Sequence, residues 1–118
     1  MNPAIERKLK TTSFGEVVMV LYKYREGGAL AIALVSAEDG EPIARLSTKL
    51  DASSRLPEGC FFMKDWSENY EVSVDVIQSG WVKPRPDIPS GRSGHVVADA
   101  FELLDAPLTQ EEIDEYYA

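Results

Sequence analysis

The sequence contains one cysteine and one histidine, Cys60 and His95, the smallest set that could form a nucleophile and its base. A Cys–His pair is catalytic when the histidine takes the thiol proton at hydrogen-bond distance. Both residues lie in apolar, strand-like segments, which favours inert positions in the core or at a strand edge. We therefore predict that the protein has no catalytic residue and is not an enzyme.

Metal and cofactor sites are also poorly supported by the residue types. With one cysteine and one histidine, a transition-metal site would depend on carboxylates, and no suitable cluster spacing occurs. The run Ser-Gly-Arg-Ser-Gly at residues 90–94 could present backbone N–H groups to an anion. It lacks the lysine of a Walker motif and the glycine spacing of a dinucleotide site. We expect neither a metal nor a cofactor.

Carboxylates are the most abundant groups that could do chemistry. Asp65 and Glu68, which flank Trp66, are the least implausible pair for acid–base work, although solvated turn positions are favoured for both. In an alternative interpretation, these two residues and Arg92 line the pocket of a small-ligand-binding domain or enzyme. Trp66 itself is either a buried core residue or an exposed anchor for a partner.

The overall charge limits the classes of partner. The chain has 20 Asp and Glu against 12 Lys and Arg, and its formal net charge of −8 should repel nucleic-acid phosphates. Residues 99–118 include seven acidic residues and no Lys or Arg. This stretch is either a solvated face that maintains solubility or a contact surface for a protein with a basic surface. Direct binding of nucleic acid is not expected.

The elements that position these residues fit into one domain, because 118 residues with 44% hydrophobic content support a single core. We assign residues 1–118 to this domain, with residues 105–118 as an acidic helical extension. One cysteine forms no intrachain disulfide, which fits a reducing compartment. The first residues lack the apolar run of a secretory signal, and residues 17–22 are too short to span a bilayer. A cytoplasmic protein without a membrane partner is the expectation.

Strand patterns dominate the first half of the chain, with predicted strands at residues 16–24, 30–36, 43–50 and 60–64. Gly27-Gly28 suits an antiparallel hairpin between the first two strands, because glycine accepts positive φ. Residues 53–59 are predicted to be a loop. The strand at residues 60–64 should have both faces covered, since its apolar side chains do not alternate with polar ones.

The second half is less regular. Residues 67–80 alternate at their valines as a strand does, yet Ser67 or Asn69 could cap a helix that Gly80 ends, and both interpretations remain open. Residues 84–94 are predicted to be irregular because of their prolines, and residues 95–104 to be a final strand. Thr109 and Glu112 fit the capping box of a short C-terminal helix, in which Ile113, Tyr116 and Tyr117 share a face.

Three motifs resemble a family of small bacterial proteins of unknown function that are often carried on plasmids, phages and other mobile elements. The motifs are Leu-Val-Ser-Ala-Glu-Asp-Gly-Glu-Pro-Ile-Ala at residues 34–44, Leu-Pro-Glu-Gly through Lys-Asp-Trp-Ser-Glu-Asn at residues 56–69, and Ile-Pro-Ser-Gly at residues 88–91. Similar proteins continue after that Asn with a helix, so the resemblance favours a helix at residues 69–79. It implies no functional residue, because the family has no established activity.

We therefore expect an α+β domain, an antiparallel sheet of about five strands with one packed helix and a short acidic C-terminal helix. The predicted function is a non-enzymatic protein-interaction module, of the kind in which a mobile element modulates or inhibits a host protein such as a defence nuclease complex. A homo-oligomer joined through an edge strand or the tyrosines is compatible with this function. The candidate partner-binding residues are Trp66, Glu68, Glu111, Glu112, Asp114, Glu115, Tyr116 and Tyr117.

Overall fold

The computed structural model describes all 118 residues and has the predicted α+β fold. Its strands are shorter and more numerous than the predicted set of about five. In chain order they are β1 (Lys8–Thr11), β2 (Gly15–Lys23), β3 (Leu30–Ser36), β4 (Pro42–Arg45), β5 (Ser47–Thr48), β6 (Cys60–Met63), β7 (Val82–Pro84), β8 (Gly91–Ser93), β9 (Val96–Ala98) and β10 (Ala100–Leu103). The α-helices are α1 (Tyr70–Ser79) and α2 (Gln110–Tyr116). No helix has the length and apolar character needed to cross a membrane.

The first sheet is an antiparallel meander of β1, β2, β3 and β4. Alternation along β2 buries Val17 and turns Val20 outward. Gly27 and Gly28 connect β2 to β3 with φ of 78° and 64°, as the sequence predicts. The sequence does not predict β1, because half of its side chains are lysines and its apolar pattern is too short to be recognised.

The chain crosses from the first sheet to the second within the predicted strand at residues 43–50. The second sheet has the strand order β5, β6, β10, β7. At the crossing, the N–H of Leu46 donates to the carbonyl oxygen of Ile32 at 2.9 Å, and the carbonyl oxygen of Leu46 accepts from the N–H of Lys64 at 2.7 Å. One extended segment therefore belongs to both sheets.

Helix α1 closes the space between the two sheets and decides the open question at residues 67–80 in favour of a helix. Helical spacing places Val72 and Val76 on one buried face against the main core. Gly80 ends the helix in the left-handed conformation with φ of 83°. Burial of the valine face outweighs the low helix propensity of valine.

The outer face of the second sheet carries a smaller apolar cluster of Leu50, Phe62, Ala98 and Ala100. Because Phe61 points into the main core while Phe62 points into this cluster, both faces of β6 are covered, as predicted. The antiparallel ribbon of β8 and β9 lies over the cluster, and Gly91 is packed so closely that an added Cβ would lie 2.6 Å from Cδ1 of Leu50.

Three predictions about loops and strands are wrong in detail. Part of the predicted loop at residues 53–59 is the end of a 3-10 helix at Asp51–Arg55. The predicted irregular segment at residues 84–94 contains the end of β7 and all of β8. The predicted strand at residues 95–104 is two strands, β9 in the ribbon and β10 in the second sheet, which are separated at Asp99. In the second case, β7 pairs with β10 and β8 with its neighbour β9 despite the local prolines and glycines.

Candidate functional site

The C-terminal helix α2 has the cap that the sequence predicts. The Oγ1 atom of Thr109 accepts from the backbone N–H of Glu112 at 3.2 Å, and the Glu112 carboxylate accepts from the N–H of Thr109 at 3.0 Å. These two bonds satisfy N–H groups that the first turn of a helix leaves free. Glu112 is therefore a capping residue, and its carboxylate is occupied within the helix.

The remaining acidic side chains of α2 differ in their availability. The Oδ1 atom of Asp114 accepts from Nε2 of Gln110 at 2.9 Å. The carboxylates of Glu111 and Glu115 are exposed and form no hydrogen bond or ion pair. Since residues four apart lie on one side of a helix, these two carboxylates face solvent together. Of the four predicted acidic contact residues in α2, Glu111 and Glu115 are the two that the fold leaves free.

Helix α2 is fixed to the body of the protein rather than extended into solvent. Ile113 is buried at 3% exposure, and Nε2 of Gln110 donates to Oε1 of Gln78 in α1 at 3.3 Å. The N–H of Leu108 donates to the carbonyl oxygen of Gly80 at 2.8 Å. The orientation of the acidic side chains is therefore set by the fold.

The two tyrosines after Ile113 do not share its burial. Tyr116 is 46% exposed and Tyr117 is 51% exposed. Tyr117 lies at a groove of about 320 Å³ whose other lining residues include Pro84, Ile88, Asp99 and Phe101. Burial of part of the ring and the nearby charge of Asp99 raise the pKa of the Tyr117 hydroxyl.

The corner before α1 holds Trp66 in a half-buried position, against the outer apolar cluster. Next to it, Ser67 has a φ of 54°, which is uncommon for a residue other than glycine. The Glu68 carboxylate is exposed and pairs with Nζ of Lys64 at 3.4 Å. Burial and the charge of Asp99 raise the pKa of Asp65. Asp99 thus acts electrostatically on both this corner and the end of α2.

The alternative pocket of Asp65, Glu68 and Arg92 is not assembled by direct contacts. No hydrogen bond or ion pair joins any two of these side chains, and Arg92 is exposed on the ribbon. Cys60 is buried, and burial raises the pKa of its thiol. His95 is exposed in the turn between β8 and β9, and no hydrogen bond joins it to Cys60. No group of three or more His, Cys, Asp or Glu side chains is placed to hold a metal ion.

Two exposed residues of α1 are missing from the predicted contact set. Tyr70 is 66% exposed and Val74 is 40% exposed, and their spacing of four places them on the same side of the helix. The alternating valines of this segment left a strand as an open interpretation. In that interpretation, Tyr70 and Val74 are strand residues and are not considered together with the acidic residues of a helix. Helical spacing from Asn69 onward was the signal that could have found them.

Charge is divided between the helices and the strands. The two α-helices contain six acidic residues and no Lys or Arg: Glu71, Asp75, Glu111, Glu112, Asp114 and Glu115. Glu71 and Asp75 bind the β1–β2 turn, where Asp75 accepts from the N–H and the hydroxyl of Thr12 at 2.9 Å each. We define the acidic helical surface as four exposed side chains of α2 and its C-terminal end: Glu111, Glu115, Tyr116 and Tyr117. Comparisons of the chain with family models, curated proteins and solved structures found no match.

Proposed function

We propose that the protein is a non-enzymatic protein-interaction module that binds a basic partner through its acidic helical surface. The observation that carries this proposal is the pair of free carboxylates on Glu111 and Glu115, held by a docked helix beside exposed tyrosines. Aromatic side chains with carboxylates around them suit a partner that presents Lys or Arg, since tyrosine supplies contact area at low entropic cost.

Fixed geometry supports binding over a purely solubilising role. A tail that only maintains solubility needs neither a capping box nor a buried anchor, yet α2 has both Thr109 as a cap and Ile113 as an anchor. The long-range field of an acidic surface steers basic partners to it and speeds association at low salt.

The resemblance to mobile-element proteins supports a more specific form of the proposal, in which the partner is a host protein such as a component of a defence nuclease complex. In a stronger version, the carboxylates imitate DNA phosphates in a nucleic-acid channel. Only Glu111 and Glu115 among the four acids of α2 are free and aligned, which is a short array for such mimicry. We therefore favour a general basic protein surface.

The test is affinity capture from a bacterial lysate with the intact protein and with two matched variants. Glu111→Lys/Glu115→Lys reverses the two free carboxylates of α2. Glu38→Lys/Glu41→Lys reverses two exposed carboxylates in the β3–β4 turn and changes the net charge by the same amount. We expect a stoichiometric partner with the intact protein and with the turn variant, and its loss with the helix variant.

Salt dependence provides a second readout. Capture through exposed charges should weaken steeply between low and physiological ionic strength, because the Debye length shortens to about 8 Å at physiological ionic strength. The proposal is wrong if the intact protein retains no stoichiometric partner, or if the two variants retain the same partner equally well. Capture that salt and competing DNA leave unchanged would exclude the phosphate-mimic version.

A further inference from the structure

A groove of about 320 Å³ lies where the end of β7, the segment before β8, the start of β10 and the end of α2 meet. Its apolar lining comes from Pro84, Ile88, Phe101 and the ring of Tyr117. Pockets for small molecules have volumes of about 300–1,000 Å³, so this groove has room for one side chain rather than for a larger ligand. We name it the Tyr117 groove.

Asp99 contributes a carboxylate to the Tyr117 groove. Its Oδ1 atom accepts from the hydroxyl of Ser90, which also lines the groove, at 2.6 Å. No other hydrogen bond of the chain reaches this carboxylate, and no Lys or Arg side chain pairs with it. Ser90 therefore orients the Asp99 carboxylate, but no cation of the chain neutralises it.

Arg85 is the one cation that lines the groove, and its charge is already compensated. Its Nε and Nη2 atoms donate to the two carboxylate oxygens of Asp87 at 2.9 and 2.8 Å, and Nη1 donates to Oε1 of Glu102 at 2.8 Å. Lys83 lies 3.8 Å from the same Glu102 oxygen, so the cluster contains two cations and two carboxylates. The charge of Asp99 is left as the net charge of the groove.

Two neighbouring groups respond to this uncompensated charge. Together with burial, the Asp99 carboxylate raises the pKa of Asp65 and the pKa of the Tyr117 hydroxyl. Asp65 has no ion pair either, so a second carboxylate adds to the negative potential beside the groove. A positive charge placed beside Asp99 would be attracted by both carboxylates.

We propose that the Tyr117 groove binds a Lys or Arg side chain of the basic partner. This inference rests on the proposed function, because Tyr117 belongs to both the groove and the acidic helical surface. The aliphatic stem packs on the apolar lining and the ring of Tyr117, while the cation lies beside Asp99. An uncharged apolar side chain would leave the carboxylate unpaired, and an acidic one would be repelled by it. The groove thus selects one basic side chain within a larger contact.

Nuclear magnetic resonance titration of the whole chain tests the groove without the partner. The probe is N-α-acetyl-lysine methylamide, and the matched control is N-α-acetyl-norleucine methylamide, which has the same stem without the ammonium group. At constant ionic strength, we expect the lysine probe to shift the amide signals of Ser90, Asp99, Ala100 and Tyr117. The dissociation constant for one side chain should be on the order of 1–10 mM. The norleucine probe should bind about fivefold or more weakly, because it makes neither the ion pair nor the cation–π contact.

A matched pair of variants isolates the charge of Asp99. Asp99→Asn keeps an acceptor for Ser90 but removes the charge, and should bind the lysine probe about threefold or more weakly than the native chain. Asp39→Asn removes the charge of another exposed aspartate, whose Oδ1 atom accepts from the N–H of Glu41 at 3.0 Å. This control should bind the probe as the native chain does.

The ring of Tyr117 is tested separately. Tyr117→Phe keeps the aromatic wall and should retain the probe, whereas Tyr117→Ala removes the wall and should weaken binding. Circular dichroism and thermal melting establish that each variant is folded.

Three results would overturn the inference. The first is equal binding of the lysine and norleucine probes, and the second is equal binding of the lysine probe by Asp99→Asn and Asp39→Asn. The third is the absence of groove shifts up to about 50 mM of the lysine probe, a concentration above the expected dissociation constant.

Comparison with partner capture separates this inference from the proposed function. Capture of a partner by a chain whose groove does not bind the lysine probe would overturn the groove and support the acidic helical surface. Binding of the lysine probe without capture of a partner would support the groove and count against the proposed function.

Discussion

The Nε–H of Arg7 donates to the carbonyl oxygen of Leu104 at 2.8 Å, which joins the segment before β1 to the segment after β10. The Arg7 side chain is 1% exposed. Its other N–H groups donate to the carbonyl of Ile5 at 3.4 Å and to Oδ1 of Asp105 at 3.0 Å, and its guanidinium lies 5.7 Å from the ring centroid of Trp81. A buried charge is therefore satisfied by two backbone oxygens, the carboxylate of Asp105 and an aromatic face.

Replacement of Arg7 by Met should lower the free energy of unfolding by about 2–4 kcal/mol. The substitution keeps much of the side-chain volume but leaves the Leu104 carbonyl without its donor in a partly buried position. Urea denaturation measures the change. Asp105→Asn is the control, and we expect it to cost less than about 1 kcal/mol, because the Asp105 side chain is half exposed. Equal losses of unfolding free energy in the two variants would contradict the greater importance of the contact with Leu104.

Gly80 and Gly94 form a matched pair of glycines with positive φ. An added Cβ at Gly80 would lie 2.5 Å from the carbonyl oxygen of Leu108, whereas one at Gly94 would meet nothing within 4 Å. Gly94→Ala should therefore cost only the backbone term of about 1 kcal/mol. Gly80→Ala should cost about 3 kcal/mol or more, because the connection to α2 must also move. Thermal unfolding of both variants measures the difference in stability. Similar melting temperatures would show that the contact at Leu108 is unimportant.

Asp65 should destabilise the fold at neutral pH. Burial and the charge of Asp99 raise its pKa in the folded state above the ordinary value, so the folded protein binds more protons than the unfolded chain between those two pKa values. The free energy of unfolding therefore falls as the pH rises through this window, and the full loss is present above it. Asp65→Asn should raise the melting temperature at pH 7, and the gain should vanish below pH of about 3.8, where both states are protonated. A gain that persists at low pH would exclude an electrostatic cause.

Thr109 should control both the stability of α2 and the presentation of its acids. Thr109→Ala removes the acceptor for the Glu112 N–H, and we expect a loss of about 1 kcal/mol in urea denaturation. Thr109→Ser keeps the hydroxyl and should restore most of that stability. In the capture experiment, the alanine variant should bind the partner more weakly than the serine variant. Identical behaviour of the two variants would show that the cap has no part in binding.

The sequence predicts those features of the fold that depend on neighbouring residues. The capping box of Thr109 and Glu112 and the hairpin at Gly27-Gly28 are both confirmed, because each is set by a few adjacent positions. The burial of Arg7 was not predictable in this way. Its partners lie 97 and 98 residues further along the chain, and no local pattern reports on them.

The candidate surface was predictable in charge but not in detail. The excess of acids is visible in the sequence, whereas the distinction between occupied Glu112 and free Glu111 requires hydrogen-bond geometry. Exposure of Tyr70 likewise depends on α1 being a helix, which the alternating valines left ambiguous. Tertiary burial of Val72 and Val76 settles that question, and burial is a property of the assembled core.

The backbone of Leu46 links the two sheets, because its N–H is bonded to Ile32 in the first sheet and its carbonyl oxygen to Lys64 at the end of β6 in the second. Neither sheet can separate from the other without breaking one of these hydrogen bonds. Amide hydrogen exchange should reflect this arrangement. The N–H of Leu46 donates to Ile32 in the first sheet, and the N–H of Lys64 donates to Leu46. Both N–H groups should exchange at the same slow rate, which is that of whole-molecule opening. The protein should consequently unfold in a single cooperative step, without a partly folded species in which one sheet survives the other.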